Sequence, residues 1–209
     1  MTTKQKFWMG YVVAVIAALF VIELSWAVDY HYKIMVKALL ILLPLFWIGG
    51  HYFARPNMQR LKIALLLGIG AVLFIQIAYG ALQQFVDAEQ IKSLLAERQR
   101  ITAENFIWIA IYVTFGNSIL EELLFRGYIL QSEIKRPWMV SSLLFAIYHL
   151  AIFIGWFSWW VLLFALFCLI VGGLIFCWLN ANRPSLWNSW LMHIFADISI
   201  ITIGFNLYF

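Results

Sequence analysis

Runs of predominantly apolar residues, each long enough to cross a bilayer as a helix, recur from end to end of this chain. Such a helix needs about 20 residues. We place spans near 7–28, 33–54, 61–81, 105–130, 138–155, 158–179 and 187–207. In hydrocarbon every backbone N–H and C=O must be satisfied within the protein, so these runs are read as helices. With 65% hydrophobic and 11% charged residues among 209, a soluble globule is not expected. The expected fold is all-α: one polytopic transmembrane helical bundle over residues 1–209, about seven spans, with no separate soluble module. The 18 Phe, 11 Trp and 9 Tyr fit aromatic belts at both interfaces, and Trp156, Trp159 and Trp160 read as part of one.

Arg55-Pro56-Asn57, Lys135-Arg136-Pro137 and Asn182-Arg183-Pro184 read as turns between spans. Segment 82–104 is different. It sets Asp87, Glu89, Lys92, Glu97, Arg98 and Arg100 among Phe85, Ile91, Leu94, Leu95 and Ile101, the apolar positions at roughly helical spacing. This predicts an amphipathic helix lying at the membrane surface; gating of substrate entry is the other role open to it. Lys4 and Lys6 precede the first apolar run, and Ser25-Trp26-Ala27 has a small-x-small shape. A signal peptide has an apolar region of about 7–15 residues and this run is longer, so a retained first span is expected.

The net charge of +4 is small and marks no nucleic-acid surface. Its distribution bears on orientation. A cytoplasmic N-terminus puts Lys4, Lys6, Arg55, Arg60, Lys62, Lys135, Arg136 and Arg183 on that side, and Lys33, Lys37, Lys92, Arg98 and Arg100 on the other. Eight against five favours N-inside and C-outside for an odd number of spans. Small size and compact loops point to a prokaryotic plasma membrane. Cys168 and Cys177 are nine apart on one helix, half a turn out of phase, so they are read as small hydrophobes without a mutual disulfide.

Against this background the stretch Glu121-Glu122-Leu-Leu-Phe-Arg126 stands out. A charge near the middle of a spanning helix costs about 2.5–3.5 kcal/mol on insertion scales. Three within six residues must face a protein-lined or watery interior, and mark a functional site. Glu122 and Arg126 have i, i+4 spacing with the acid first, the favourable orientation for a helical ion pair. Glu121 lies about 100° around the helix from Glu122 and is read as the freer carboxylate, suited to take a proton from water.

Two further spans carry ionisable groups. His149 lies in Phe145-Ala-Ile-Tyr-His149. His193-Ile-Phe-Ala-Asp197 stacks an imidazole and a carboxylate on one helical face, where the acid can orient the ring. Taken singly, each histidine is as well read as a hydrogen-bonded structural group. Elsewhere, Glu23 is expected to snorkel at the outer end of the first span. Gln76, Asn117 and Ser118 can bond neighbouring helices, and Gly172-Gly173 allows close packing. Three helices carrying ionisable residues at similar depth are more specific than any one motif. A carboxylate base, two imidazoles and a further carboxyl fit peptide-bond hydrolysis, one group activating water and others stabilising the oxyanion.

The set Glu121-Glu122-x-x-x-Arg126, Phe145-x-x-x-His149 and His193-x-x-x-Asp197 resembles the CPBP intramembrane proteases, the CAAX-processing and bacteriocin-processing (Abi) family. The resemblance covers about residues 105–205; the first three spans match only as generic membrane helices. It implies an endopeptidase acting on a membrane-associated peptide or protein, with the bilayer and that substrate as its partners. By position, Glu121 activates water with help from His149. Glu122 holds Arg126 and so fixes Glu121, and His193 and Asp197 stabilise the oxyanion. A glutamate-dependent mechanism without cofactor is favoured, and a zinc-dependent one would use Glu121, His149 and His193. Many members end the last motif in Asn where this chain has Asp197. An ionised Asp cannot donate to an oxyanion, so Asp197 must be protonated there or orient His193. A proton-coupled transporter and a noncatalytic immunity protein are the competing classes. No internal repeat of the transporter kind is evident, and a scaffold has no need of Glu121.

Overall fold

The computed structural model describes residues 3–25, 28–48, 51–181 and 185–209, with side chains from Trp8 onward except at 47 and 48. The described residues form helices α1 (Thr3–Leu24), α2 (Tyr30–Leu42), α3 (Leu45–Ile48), α4 (Met58–Leu82), α5 (Ala88–Gln99), α6 (Phe106–Ile129), α7 (Pro137–Phe153), α8 (Trp159–Asn180) and α9 (Trp187–Tyr208). Among them no strand forms; the only β feature is a bridge between Phe53 and Ser185. The all-α expectation therefore holds.

Local chemistry sets several boundaries. The Asn57 side chain accepts from the N–H groups of Gln59 and Arg60 to open α4, and Asp87 accepts from Gln90 N–H to open α5. Pro137 starts α7, where a missing N–H costs nothing. The turn expected at 55–57 lies between helices, and that at 135–137 leads into α7 at Pro137; the one at 182–184 lies outside the described residues.

By length and composition, α4 with its 3₁₀ extension (Met58–Phe85), α6, α8 and α9 can cross a membrane. Trp8–Leu24 and Pro137–Phe153 are shorter apolar helices. The expected span at 33–54 is not one helix. Pro44 lacks the N–H that would continue α2, and the chain turns there before α3. Four helices of spanning length and two shorter apolar ones thus stand where seven spans are expected. Leu66 and Ile77 on α4 and Phe167 on α8 point outward, as lipid-facing side chains do.

Segment 82–104 contains a helix, α5, with Ile91 buried and Arg100 in the left-handed region ending it. Arg98 donates to Ile154 O at 2.6 Å and so ties α5 to the turn after α7.

Helix α9 packs along α4, and α7 along α8. Small residues permit both approaches. A Cβ on Gly68 would come within 2.8 Å of the Phe195 ring, and one on Gly173 within 3.1 Å of Ser142 Cα. Gly172 meets nothing within 4 Å, so the close contact belongs to Gly173 alone. Cys168 and Cys177 are both free thiols. The main core joins Val12, Ile16 and Leu19 of α1 to Leu123, Leu124, Phe125 and Tyr128 of α6, Phe145 of α7 and Phe176 of α8. The second half of α6, Ser118–Ile129, is thus enclosed, and Glu121, Glu122 and Arg126 are held inside.

Candidate active site

Helix α6 is not uniformly α-helical. Tyr112–Asn117 and Leu123–Ile129 are π-helical, with Ser118 N–H bonded to Val113 O and Leu130 N–H to Phe125 O. The short α-helical piece between them, Ser118–Glu122, carries both glutamates. Such wide turns recur at functional sites because they re-aim side chains without breaking the helix.

All six residues singled out from the sequence meet here. Glu122 and Arg126 are fully buried and paired at 3.5 Å. The guanidinium makes no hydrogen bond through Nε, Nη1 or Nη2. It lies instead over the rings of Phe145 (4.3 Å) and Phe176 (4.8 Å), an aromatic cage that accepts a cation by its π-faces. Glu122 has two further partners: it accepts from Ser189 Oγ, and its Oε1 lies 2.9 Å from His193 Nδ1.

That last contact shows which acid holds the His193 ring. A carboxylate only accepts, so Nδ1 of His193 carries the proton and Nε2 turns inward. Glu122 therefore orients His193; Asp197, expected to do so, has its Oδ1 3.8 Å from Nε2 and no hydrogen bond at Oδ2. Phe176 stacks on the His193 ring at 5.2 Å and Phe145 meets it edge-on at 5.8 Å. His149 is fixed in the same way from its own helix: Nδ1 donates to Phe145 O at 2.8 Å, leaving Nε2 facing the site.

Glu121 stands at the centre and is less free than its position on the helix implies. Its Oε1 accepts from Asn117 Nδ2 at 2.7 Å and lies 3.7 Å from Lys37 Nζ. Its Oε2 makes no hydrogen bond to the protein. That oxygen faces His149 Nε2 at 3.5 Å and His193 Nε2 at 3.8 Å. One oxygen is tethered; the other, itself buried, makes no hydrogen bond. Glu121 and His193 are almost fully enclosed, whereas the side chains of His149 and Asp197 are 14% and 17% exposed. The site therefore opens on the side where those two residues stand.

The described residues contain no group of three or more His, Cys, Asp or Glu arranged to hold a metal ion. Glu121, His149 and His193, the residues a zinc-dependent version would use, converge on Glu121 Oε2 but do not form such a group.

Two sequence expectations are corrected. Glu23 does not snorkel: it is buried and paired with Lys37 at 3.5 Å and Lys33 at 4.0 Å. Lys33 and Lys37 are not loop charges; both are buried in α2. Asn117 does bond a neighbouring helix, accepting from Lys37 of α2, and it also donates within its own helix to Glu121. Ser189 and Lys37 are site residues that the motif reading missed. Lys33 and Lys37, one helical turn apart in an apolar run, carry the same intramembrane-charge signal as Glu121 and Glu122.

No curated protein and no solved structure matches the chain significantly. Residues 103–199 match the family described as type II CAAX prenyl endopeptidase Rce1-like, a stretch that contains all six residues assembled around Glu121. Over residues 103–199 the chain is thus similar to the Rce1-like CAAX endopeptidases, in agreement with the CPBP resemblance carried by the three motifs.

Proposed function

We propose that this chain is an intramembrane endopeptidase that hydrolyses a peptide bond in a membrane-associated peptide or protein, with Glu121 as its base. The observation that carries the reading is the division of labour within one carboxylate. Glu121 Oε1 is held by Asn117, while the buried Oε2 makes no hydrogen bond and faces two imidazole Nε2 atoms.

In this mechanism Oε2 takes a proton from water as the water oxygen bonds to the scissile carbonyl carbon. The carbonyl π-electrons move onto oxygen. His149, its Nδ1 committed to Phe145 O, presents Nε2 to the same water and orients it. His193, held at Nδ1 by Glu122, donates to the oxyanion from Nε2 when it is the imidazolium, and Asp197 donates when it is the neutral acid. Collapse of the tetrahedral intermediate breaks the C–N bond, and the proton on Glu121 passes to the leaving amine. Arg126 and Ser189 act earlier, by fixing Glu122 and through it His193. The protein lies in the membrane with its N-terminus in the cytoplasm, and α5 lies at the surface.

The test is cleavage, in proteoliposomes, of an internally quenched peptide bearing a farnesylated cysteine followed by three residues. The family description motivates that probe. The proposal expects cleavage by the wild type, none by Glu121→Ala, activity that survives chelators, and no proton flux in the same vesicles. Proton flux without cleavage would make the chain a transporter; chelator-sensitive cleavage would make Glu121, His149 and His193 metal ligands.

A further inference from the structure

Glu121 is reached by a cation from outside the family-matched segment. Lys37 Nζ lies 3.7 Å from Glu121 Oε1, 3.5 Å from Glu23 Oε1 and 2.8 Å from Asn117 Oδ1, to which it donates. It also sits 4.9 Å over the Tyr148 ring, whose hydroxyl donates to Glu23 Oε1 at 3.2 Å. These groups come from four helices: Glu23 from α1, Lys37 from α2, Asn117 and Glu121 from α6, and Tyr148 from α7.

We propose that Lys37 is a positioning residue of the active site, holding Glu121 and orienting the amide that tethers it. Resting on the protease reading, this extends the working site into the N-terminal helices, which the family match does not reach.

Two arguments support it. The first is charge balance. Lys33 and Lys37 are both buried and share one acid, Glu23. Lys33 is further satisfied by Gln99 Oε1 at 3.2 Å and by the backbone carbonyls of Glu23 and Arg98 at 3.5 Å. One positive charge is left over, and Glu121 is the second acid within reach of Lys37. A buried charge without a counter-charge is strongly disfavoured, so the pair is mutually fixing.

The second argument is polarity. An ammonium group only donates. It therefore forces the oxygen of Asn117 towards α2 and the NH₂ towards Glu121, where it donates at 2.7 Å. Without Lys37 that amide loses the partner that sets its orientation. Turned over, it would present oxygen to the carboxylate and push the reactive atom out of place.

The experiment uses the full chain and the farnesylated quenched peptide, with Lys37→Met, Lys37→Arg and Glu121→Gln beside the wild type. Lys37→Met should lower kcat by about 10²-fold with KM little changed, as expected for a misplaced catalytic group. Lys37→Arg should recover most of that loss. In parallel, melting temperatures of Lys37→Met, Glu121→Gln and the double variant should be non-additive, the second change costing less once the first is made. If Lys37→Met does not accumulate, Lys37→Gln takes its place in both arms. A kcat within about twofold of wild type for the uncharged variant, with Glu121→Gln inactive, would overturn the role of Lys37 and leave the protease reading standing. A wild type that cleaves nothing would overturn that reading instead. The melting cycle then decides the Lys37–Glu121 link alone, and additive losses would refute it.

Discussion

Replacing Glu122 by Gln strips the counter-charge from a guanidinium that is 0% exposed. Glu122 is the acid paired with Arg126, at 3.5 Å, and no guanidinium nitrogen makes a hydrogen bond. The aromatic faces of Phe145 and Phe176 survive the change, and a carboxamide oxygen can still accept from His193 Nδ1. What is lost is chiefly the charge term. Breaking a buried pair by neutralising one partner costs about 3–5 kcal/mol. For a chain of this size, about 2–4 °C of melting temperature accompanies each kcal/mol. The Gln variant should therefore melt roughly 6–20 °C below wild type in the same detergent. Adding Arg126→Met should restore most of that, because an apolar side chain fills the cage without needing an acid. Thermal unfolding of wild type, Glu122→Gln and the double variant, followed by circular dichroism, is the assay. A Gln variant that melts with the wild type, or a double variant that melts below the single, would refute the ion pair as the reason for that glutamate.

Gly173→Ala should cost about 1–3 kcal/mol by wedging α7 from α8 at Ser142, while Gly172→Ala should be near neutral; chemical unfolding of both variants checks the contrast. Asp197→Asn should retain cleavage, since Asn always carries donor protons, whereas Asp197→Ala should lose about 10²–10³-fold in kcat. If Asn is as damaging as Ala, the negative charge of Asp197 is what the site needs. A reporter fused after Phe209 should be active only outside the cytoplasm; activity inside would overturn the proposed orientation.

Much of the site was legible because charges in an apolar chain are conspicuous, and because i, i+4 spacing fixes a shared face without knowledge of any neighbour. Glu122–Arg126 is such a pair. The acid that orients His193 was not legible, for the opposite reason. Asp197 is its neighbour on the helix, but the orienting acid, Glu122, comes from α6 and is revealed only by packing. Lys33 and Lys37 count as outer-side charges by position, and only the burial of Glu23 against both reveals an internal cluster. The break at Pro44 was signalled by the proline, yet the surrounding leucines read as one continuous run. The π-helical turns on either side of Glu121 and Glu122 carry no local signature: nothing in Tyr112–Asn117 or Leu123–Ile129 marks an i→i+5 pattern.

The central claim is that Oε2 of Glu121 takes the proton from the attacking water. Its most direct measurement is the initial rate of cleavage of the farnesylated quenched peptide by Glu121→Gln and wild type at equal folded concentration. Gln keeps the shape and can keep an oxygen facing Asn117, but it cannot act as the base. The account predicts a folded, monodisperse variant with no cleavage above the uncatalysed background. Cleavage by that variant at a rate comparable to wild type would contradict it.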